Sequence, residues 1–330
     1  MSKPDPVLFS LRSGADFAGR VADLLGIPLG THEERDFEDG EHKIRPLESV
    51  RQRDVYVVQS LYGDKQLSLN DRLVRLLFML GCFRENGAAS VTAVIPYLCY
   101  ARKERKTKPR DPVTSRYLAQ LLEAMGVDQV VTMDVHSRAA FDNAFRCRTV
   151  HLSAHDAFIK YCLAGLGEEQ ITVASPDIGG VKRAELFRQA LERRLGRPVA
   201  SAFMEKHRSS GKLSGATVVG AVSGRRVLIV DDLVASGSTL QRAAEAFRAQ
   251  GASQVDAIAS HGVFGPGAES ALATPPLNHL LVSDSLPAAL QPQSLRQNKI
   301  VTVTVAPLIG EAIRRLHQGG SLAALDLAED

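Results

Sequence analysis

Short runs of apolar, mostly β-branched residues alternate with amphipathic stretches along most of the chain. The apolar runs are continuous rather than alternating, which is typical of strands in a parallel sheet whose two faces are both covered. They predict strands over residues 55–59, 91–97, 129–135, 171–175, 226–232, 255–260 and 300–305. The amphipathic stretches predict helices over 70–86, 113–125, 238–250 and 309–317, and the first three end just before Gly87, Gly126 and Gly251.

This alternation predicts an α/β protein with two similar domains, each a mainly parallel sheet flanked by helices. A repeated passage supports two related halves, because FRENGAASVTAV (83–94) and FRAQGASQVDAI (247–258) share Phe, Arg, Gly, Ala, Val and Ala at identical offsets. We place the N-terminal domain at residues 1–150 and the C-terminal domain at 151–305. The segment 306–330 is expected to pack back on the first domain, and the proline-rich residues 265–292 to form a long surface excursion.

Charge and hydrophobicity exclude two classes of partner. The chain has 330 residues, and its 40 Lys and Arg against 37 Asp and Glu give a net charge of only +3. A protein that coats nucleic acid usually carries a clear basic excess, because it must neutralise phosphates. The longest dense apolar run, LLFMLGCF, has eight residues, whereas a membrane-spanning helix needs about 20. We therefore expect neither nucleic acid nor a membrane as a partner.

The cysteines and the N-terminus indicate a cytoplasmic protein. The four cysteines lie singly in the sequence, without a CxxC pair that would suggest a metal site or a disulfide framework: Cys82, Cys99, Cys147 and Cys162. Buried, reduced thiols are the expected state. The first residues meet Pro, Asp and Gly too early for a secretory signal.

The sharpest local signal is the passage VLIVDDLVASGSTL at 227–240. A predicted buried strand ends in two carboxylates, Asp231 and Asp232, and small or hydroxyl-bearing residues then open a helix. Backbone N–H groups and hydroxyls at a helix N-terminus form an anion site, and the paired carboxylates can accept hydrogen bonds from vicinal ribose hydroxyls. The passage therefore predicts a sugar-phosphate site, built from Asp231, Asp232, Ser236, Gly237, Ser238 and Thr239. The alternative is an ordinary strand end followed by an ordinary helix cap.

Two basic passages are candidates for binding phosphates. Residues 102–110 carry six basic residues and one acid between a predicted strand and a predicted helix, where an α/β fold places ligand loops. Residues 202–220 hold a second basic, small-residue loop between two predicted strands. Such a loop can close over phosphates and supply positive charge where phosphoryl transfer accumulates negative charge. The alternatives are a solvated charged face for the first passage and a loop without a role for the second.

The 227–240 passage resembles the phosphoribosyl-diphosphate binding loop of the type I phosphoribosyltransferase fold, which several families share. Nearly the whole chain is similar to the ribose-phosphate diphosphokinase family. The resemblance implies an enzyme that transfers the diphosphoryl group of Mg-ATP to the anomeric hydroxyl of ribose 5-phosphate and releases AMP. The matching segments are FEDGE (37–41), ESVRQRDVYVVQ (48–59), AVIPYLCYARKERKTKPRDPVTSR (93–116), MDVH (133–136), SPDIGGVKRA (175–184), MEKHR (204–208) and GEAIRRLH (310–317).

The resemblance also implies which residues bind ATP. Arg102 would flank the adenine, opposite a phenylalanine that a neighbouring subunit supplies, and two acidic residues would contact the polar edges of the nucleotide. A site shared in this way implies a homo-oligomer, at least a dimer. The implied ATP-binding residues are Phe37, Asp39, Glu41, Arg102, Lys103, Arg105 and His136.

The resemblance implies Mg²⁺ as cofactor, with His136 near one ion and Asp177 near a second ion and the ribose. Magnesium keeps most of its waters, so few protein ligands are expected. A lone histidine at a strand end is, by itself, more often a structural residue than a ligand. In the second basic passage, Lys206 and Arg208 match the first and third positions of the family's catalytic Lys-Arg-Arg-Pro loop.

Several positions depart from the family pattern, and two other functions stay open. Lys103 stands where the family commonly has Gln, Ala235 where many relatives have Asp, and His207 and Ser209 depart in the catalytic loop. A catalytically silent homologue that binds nucleotide and regulates an active partner is one alternative. The other is a salvage phosphoribosyltransferase, which shares the 231–239 loop but does not need FEDGE, ARKERK or a second α/β half.

Overall fold

The computed structural model describes residues 5–209 and 212–325, with the side chains of residues 206–209 and 212–216 outside the description. The chain forms two compact units. The first contains the residues up to Ser153 together with the segment that begins at Ala306, and the second is Ala154–Val305. The division therefore falls three residues beyond the boundary predicted at 150.

The first unit is a five-stranded parallel sheet in the order β1-β4-β5-β6-β7, with a separate antiparallel hairpin, β2–β3. Helix α10 packs on α1, where Gly310 approaches Leu24. In chain order the elements are β1 (Val7–Phe9), α1 (Ala15–Leu25), β2 (His32–Asp36), β3 (His42–Pro46), β4 (Asp54–Val58), α2 (Leu69–Glu85), β5 (Ser90–Ile95), α3 (Thr114–Ala124), β6 (Gln129–Met133), α4 (Arg138–Ala144), β7 (Arg148–Leu152) and α10 (Ala306–Gln318).

The second unit is a seven-stranded sheet in the order β10-β9-β8-β11-β12-β13-β14, parallel except for the edge strand β10. Its elements are α5 (His155–Gly165), β8 (Ile171–Ser175), α6 (Val181–Leu195), β9 (Ala200–Ser209), β10 (Lys212–Gly220), β11 (Arg226–Val234), α7 (Ser238–Ala249), β12 (Gln254–Gly262), α8 (Ala268–Ala273), β13 (Leu280–Ser283), α9 (Gln293–Arg296) and β14 (Ile300–Val303).

The continuous apolar runs are the buried strands of both sheets. All residues of β6 and β8 are buried, and so are nearly all of β4, β5 and β12. Helices cover these sheets, so strand side chains on both faces are removed from water, which explains why the runs do not alternate with polar residues. The predicted fold class, two α/β domains with mainly parallel sheets, is confirmed.

The repeated sequence passage has the same geometry in both units. Phe83 and Phe247 are fully buried near the ends of α2 and α7. Gly87 and Gly251 follow with φ values of 83° and 88°, in the left-handed region that favours glycine. The next residue in each copy donates its backbone N–H to the phenylalanine carbonyl, at 3.2 Å and 3.1 Å. The two passages are therefore one helix–turn–strand structure used twice.

The structure corrects two expectations from the sequence. Residues 265–292 are not only a surface excursion, because they contain α8 and the fully buried strand β13. The passage 202–220 runs as two paired strands through most of the predicted loop, with Lys206 opposite Ala216 and Arg208 opposite Leu213. The sequence pattern predicted neither strand clearly, because β13 is only four residues long and the end of β9 is polar.

All four cysteines are free thiols. Cys99 and Cys162 are buried, and burial raises the pKa of each of these thiols to about 12. A thiol with such a pKa holds its proton at neutral pH and is a poor nucleophile. Among the helices of the described chain, none combines the length and apolar character that a membrane crossing requires.

Candidate active site

Two acidic side chains lie in the last part of β11, beside the end of β8. Asp231 is 19% exposed and Asp232 is 6% exposed. Strands β8 and β11 are parallel neighbours, with Ala174 opposite Ile229, so Asp177, which follows β8, lies at the same edge of the sheet. Burial, followed by the hydrogen bond and charge of Asp232, raises the pKa of Asp231 above the usual range of a carboxyl group.

The loop after β11 delivers a helix N-terminus to this edge. Gly237 has a φ of 72°, and α7 begins at the next residue without a side-chain cap. Uncapped N–H groups at the start of a helix are donors for a phosphate. The hydroxyls of Ser236 and Ser238 lie 3.0 Å apart, and Gly265 fixes the loop by donating its N–H to the Ala235 carbonyl. The structure thus brings together the loop residues for which the sequence predicts a sugar-phosphate site.

Asp177 occupies a tight turn between β8 and α6. Its carboxylate accepts a hydrogen bond from the Gly180 N–H at 3.2 Å, and its carbonyl accepts one from the Ser175 hydroxyl at 2.6 Å. A Cβ at Gly180 would lie 2.6 Å from the Ser175 hydroxyl, so the turn needs glycine there. Asp177 is therefore held in a fixed turn at the edge of the sheet where β11 carries Asp231 and Asp232.

The basic loop between β5 and α3 is organised by a single carboxylate. Oδ2 of Asp111 accepts hydrogen bonds from the Lys103 ammonium at 2.8 Å, from the Thr107 hydroxyl at 2.7 Å, and from the N–H groups of Thr107 and Lys108 at 3.0 Å. The hydrogen bond from Lys103, followed by that from Thr107, holds the pKa of Asp111 well below its usual range. The charge of Lys103 is thus already paired inside the loop.

The two arginines assigned to ATP in this loop are exposed. Arg102 is exposed, and the side chain of Arg105 is 81% exposed and 3.8 Å from Glu104. Such side chains can close on a triphosphate without breaking a buried contact. We therefore regard Arg102 and Arg105 as the candidate ATP contacts of the loop, and Lys103 as a residue that shapes it.

Replacing Asp111 with Asn tests this organisation. We expect the KM for ATP to rise by about 3–10-fold, because the loop loses one charged hydrogen-bond acceptor, while the KM for ribose 5-phosphate stays the same. Steady-state kinetics of AMP release with either substrate varied measure both values. Asp23→Asn on α1 removes the same charge from an exposed helical residue and serves as control. An unchanged ATP KM in D111N would contradict the role of Asp111.

The hairpin β2–β3 carries the other predicted ATP residues at its turn. Phe37 is 40% exposed, and the guanidinium carbon of Arg35 lies 5.2 Å from its ring centroid. The Glu41 N–H donates to the Asp39 carboxylate at 3.0 Å, and the Phe37 N–H donates to the Glu41 carbonyl at 2.8 Å. The turn thus presents one aromatic ring and three exposed carboxylates, those of Glu38, Asp39 and Glu41, to solvent.

Helix α2 holds this hairpin on the first unit. The His42 ring stacks on Phe78 with centroids 5.5 Å apart and an interplanar angle of 8°. Asp36 and Arg75 form an ion pair at 2.5 Å. Both contacts flank the turn, because Asp36 ends β2 and His42 begins β3. The hairpin is therefore anchored beside the turn that carries Phe37, Asp39 and Glu41.

His136 follows β6 at a kinked segment. Asp134 has a φ of 41°, unusual for a residue other than glycine, and its N–H donates to the Leu152 carbonyl at 3.0 Å. His136 is exposed, and Ser137 caps α4 by accepting the Ala140 N–H. The kink directs the chain out of the sheet and leaves the histidine accessible to a ligand.

The predicted ligands His136 and Asp177 belong to different units and are compared with magnesium chemistry one at a time. Within residues 5–209 and 212–325, no group of three or more His, Cys, Asp or Glu side chains could hold a metal ion. Magnesium characteristically takes one or two protein carboxylates together with phosphates and waters. In the second unit the carboxylate of Asp177 suits that mode, and in the first unit the exposed His136 suits a hydrogen-bonding role beside a separate ion.

The candidate catalytic residues lie on the edge hairpin β9–β10. The backbones of Lys206 and Arg208 belong to β9, and their side chains lie outside the described part of the chain. Strand β9 pairs with β8, which leads into Asp177. The catalytic assignment stays a prediction.

Comparison with known proteins identifies the family. Residues 6–126 match the N-terminal domain of ribose phosphate pyrophosphokinase, and residues 191–326 match the phosphoribosyl synthetase-associated domain. The chain is 35% identical over 319 residues to the ribose-phosphate pyrophosphokinase of Caldanaerobacter subterraneus, a match that covers 96% of each protein. The chain belongs to the ribose-phosphate pyrophosphokinase family. The relative from Wolinella succinogenes is also 35% identical, over 96% of this chain and 98% of that protein.

A solved structure extends the likeness to three dimensions. The crystal structure of phosphoribosylpyrophosphate synthetase from Mycobacterium smegmatis superposes with a TM-score of 0.86 at 30% identity, over 96% of this chain and all of that one. The matches run across both α/β units of the chain. The family resemblance predicted from the sequence is confirmed.

Sequence reasoning missed three residues that contact predicted site residues of this ribose-phosphate pyrophosphokinase family member, two in the first unit and one in the second. Asp111 organises the basic loop, Arg35 lies over Phe37, and Arg183 contacts both Asp231 and Asp232. The sequence contained a signal for Arg183, since it lies within SPDIGGVKRA. Its partners are about fifty residues further along the chain, so only the fold reveals the contact.

Proposed function

We propose that this protein makes 5-phosphoribosyl 1-diphosphate from ribose 5-phosphate and Mg-ATP, for nucleotide biosynthesis. The anomeric oxygen attacks the β-phosphorus of ATP, and the bond from that phosphorus to the oxygen bridging the α- and β-phosphates breaks. AMP leaves with the bridging oxygen, and the attacking hydroxyl gives up its proton. The observation that carries the proposal is the passage from β11 to α7, where two carboxylates precede an uncapped helix N-terminus.

The ribose 5-phosphate residues have distinct roles in this proposal. Asp231 and Asp232 accept hydrogen bonds from the ribose hydroxyls, and the N–H groups at the start of α7 bind the 5-phosphate. The loop residues Ser236, Gly237, Ser238 and Thr239 surround the phosphate. Asp177 lies at the same edge, where it suits the ribose and a Mg²⁺ ion.

ATP is assigned to the basic loop, to His136 and to the turn of the β2–β3 hairpin. Arg102 and Arg105 supply positive charge to the phosphates, and Phe37 supplies an aromatic face for adenine. We infer that Phe37, Asp39 and Glu41 come from a neighbouring subunit, which makes the protein a homo-oligomer. Bound Mg²⁺ neutralises phosphate charge and orients the triphosphate.

A coupled assay tests the reaction. With ribose 5-phosphate, Mg²⁺ and ATP, AMP should appear in equal amount to 5-phosphoribosyl 1-diphosphate, and omission of ribose 5-phosphate should abolish both. Absence of AMP at every phosphate and ADP concentration would contradict the proposal. Nucleotide binding without turnover would favour the silent homologue instead, and base-dependent loss of 5-phosphoribosyl 1-diphosphate would favour a salvage phosphoribosyltransferase. The cytoplasmic location stays a prediction.

A further inference from the structure

One cation connects the two carboxylates at the end of β11. Nη1 of Arg183 lies 3.2 Å from Oδ1 of Asp231 and 3.4 Å from Oδ1 of Asp232. The Arg183 side chain is 18% exposed, so all three groups are mostly removed from water. A contact of this kind is stronger than an exposed ion pair, because solvent screens it less.

The local fold fixes where Arg183 lies. It is in the first turn of α6, which follows the Asp177 turn at the end of β8. A Cβ at Gly180 would lie 3.6 Å from the Arg183 guanidinium, so the turn runs close beneath that side chain. Helix α6 packs on both β8 and β11. Helix α6 therefore places the guanidinium beside the carboxylate pair, and its packing on both strands holds it there.

The carboxylate pair needs such a cation. Two neighbouring carboxylates with little solvent repel each other, and one of them then tends to take up a proton. Burial and Asp232 act in that direction and raise the pKa of Asp231, and the charge of Arg183 opposes only part of that rise. The backbone N–H of Asp232 also donates to Oδ1 of Asp231 at 2.9 Å. Arg183 thus opposes the charge repulsion between the Asp231 and Asp232 carboxylates. By contacting both, it also opposes rotation of their side chains.

We propose that Arg183 is a positioning residue for ribose 5-phosphate, which bridges Asp231 and Asp232 so that both carboxylates accept hydrogen bonds from the ribose hydroxyls. This inference rests on the ribose site proposed above. Arg183 acts through the carboxylates in this scheme and does not itself touch the reacting atoms. Its removal should therefore weaken sugar binding and leave nucleotide binding unchanged.

Arg183→Met tests the inference, because methionine keeps an unbranched side chain without the charge. We expect the Kd for ribose 5-phosphate, measured by calorimetry, to rise by about tenfold or more, with a change in the ATP Kd below about twofold. Arg183→Lys restores the positive charge and should recover part of the lost affinity. Lys182→Met, at the exposed neighbouring position, is the control and should bind both substrates like the wild type.

A double-variant cycle separates positioning from a general structural effect. In an Asp231→Asn background one carboxylate charge is gone, so Arg183→Met should cost less than about threefold in ribose 5-phosphate affinity. If R183M does not fold, Arg183→Gln replaces it with the same expectations. Equal ribose 5-phosphate Kd values for wild type and R183M would overturn the inference, and so would equal losses in both backgrounds.

The binding assay also distinguishes this inference from the proposed reaction. If the wild type binds ribose 5-phosphate but releases no AMP, the reaction is wrong and the Kd comparison still decides the role of Arg183. If the wild type binds no ribose 5-phosphate, the ribose site and the role of Arg183 are both overturned.

Discussion

Lys206→Ala is expected to lower kcat by about 100–1,000-fold, the usual cost of removing one group that stabilises transition-state charge. Negative charge redistributes over the transferred phosphates during the reaction, and a lysine side chain is a point charge suited to follow it. The ATP Kd should change little, because the lysine acts mainly on the transition state. AMP release under saturating substrates gives kcat, and calorimetry gives the ATP Kd.

Lys160→Ala is the matched control for this variant. Lys160 lies on α5, has a side chain that is 65% exposed, and pairs with Asp156. Its loss removes one lysine charge from the same unit and should leave kcat within about twofold, as expected for an exposed pair. An unchanged kcat in K206A would refute the catalytic assignment of the β9–β10 hairpin.

Gly237→Ala is expected to raise the KM for ribose 5-phosphate by about 10–100-fold, because displacement of positioning groups by 1 Å can cost that much. Two features act together. The φ of 72° costs a residue with a Cβ roughly 1–2 kcal/mol, and the new Cβ would lie 2.7 Å from Cγ of Leu272. Leu272 is only 1% exposed, so the loop must move, and the phosphate donors move with it.

Gly224→Ala isolates the steric part of this effect. Gly224 has a φ of 71°, and a Cβ there would meet nothing within 4 Å. Both variants should lose a similar amount of stability from the backbone, measured by denaturant unfolding, but only G237A should lose sugar affinity. Equal KM values for ribose 5-phosphate in the two variants would contradict the role of the loop geometry.

The parts of the fold that the sequence predicted are those in which local pattern and burial agree. Strand β8 was predicted residue for residue at 171–175, because ITVAS contains β-branched and small residues and no charge, as expected of a strand covered on both faces. The hairpin β2–β3 was not predicted as strands, because HEERD and HKIRP carry charges at most positions and pair only with each other. These polar strands are held by tertiary contacts to α2, to Arg12 and to Phe9.

Some candidate site residues could likewise be predicted from the sequence, and others could not. The anion loop could be predicted because its parts are consecutive: strand, carboxylates, small residues and helix start. The roles of Asp111 and Arg183 depend on side chains meeting across a turn or across 48 residues of sequence, and no local pattern encodes such a meeting. Lys103 stands where the family commonly has Gln, and only the structure explains this difference, because the Lys103 charge is paired with Asp111.

The C-terminal helix α10 has a consequence for biosynthesis. It packs on α1 and buries Ile309 and Ile313, and Nδ1 of His317 near its end lies 3.0 Å from Oδ2 of Asp54 at the start of β4. The ribosome synthesises α1 before the second unit and α10 after it, at about 5–20 residues per second. The first unit therefore lacks α10 until the second unit has been synthesised. The second unit, Ala154–Val305, is continuous in sequence and needs no later segment. The first unit can therefore be complete only after Ala154–Val305 has been synthesised.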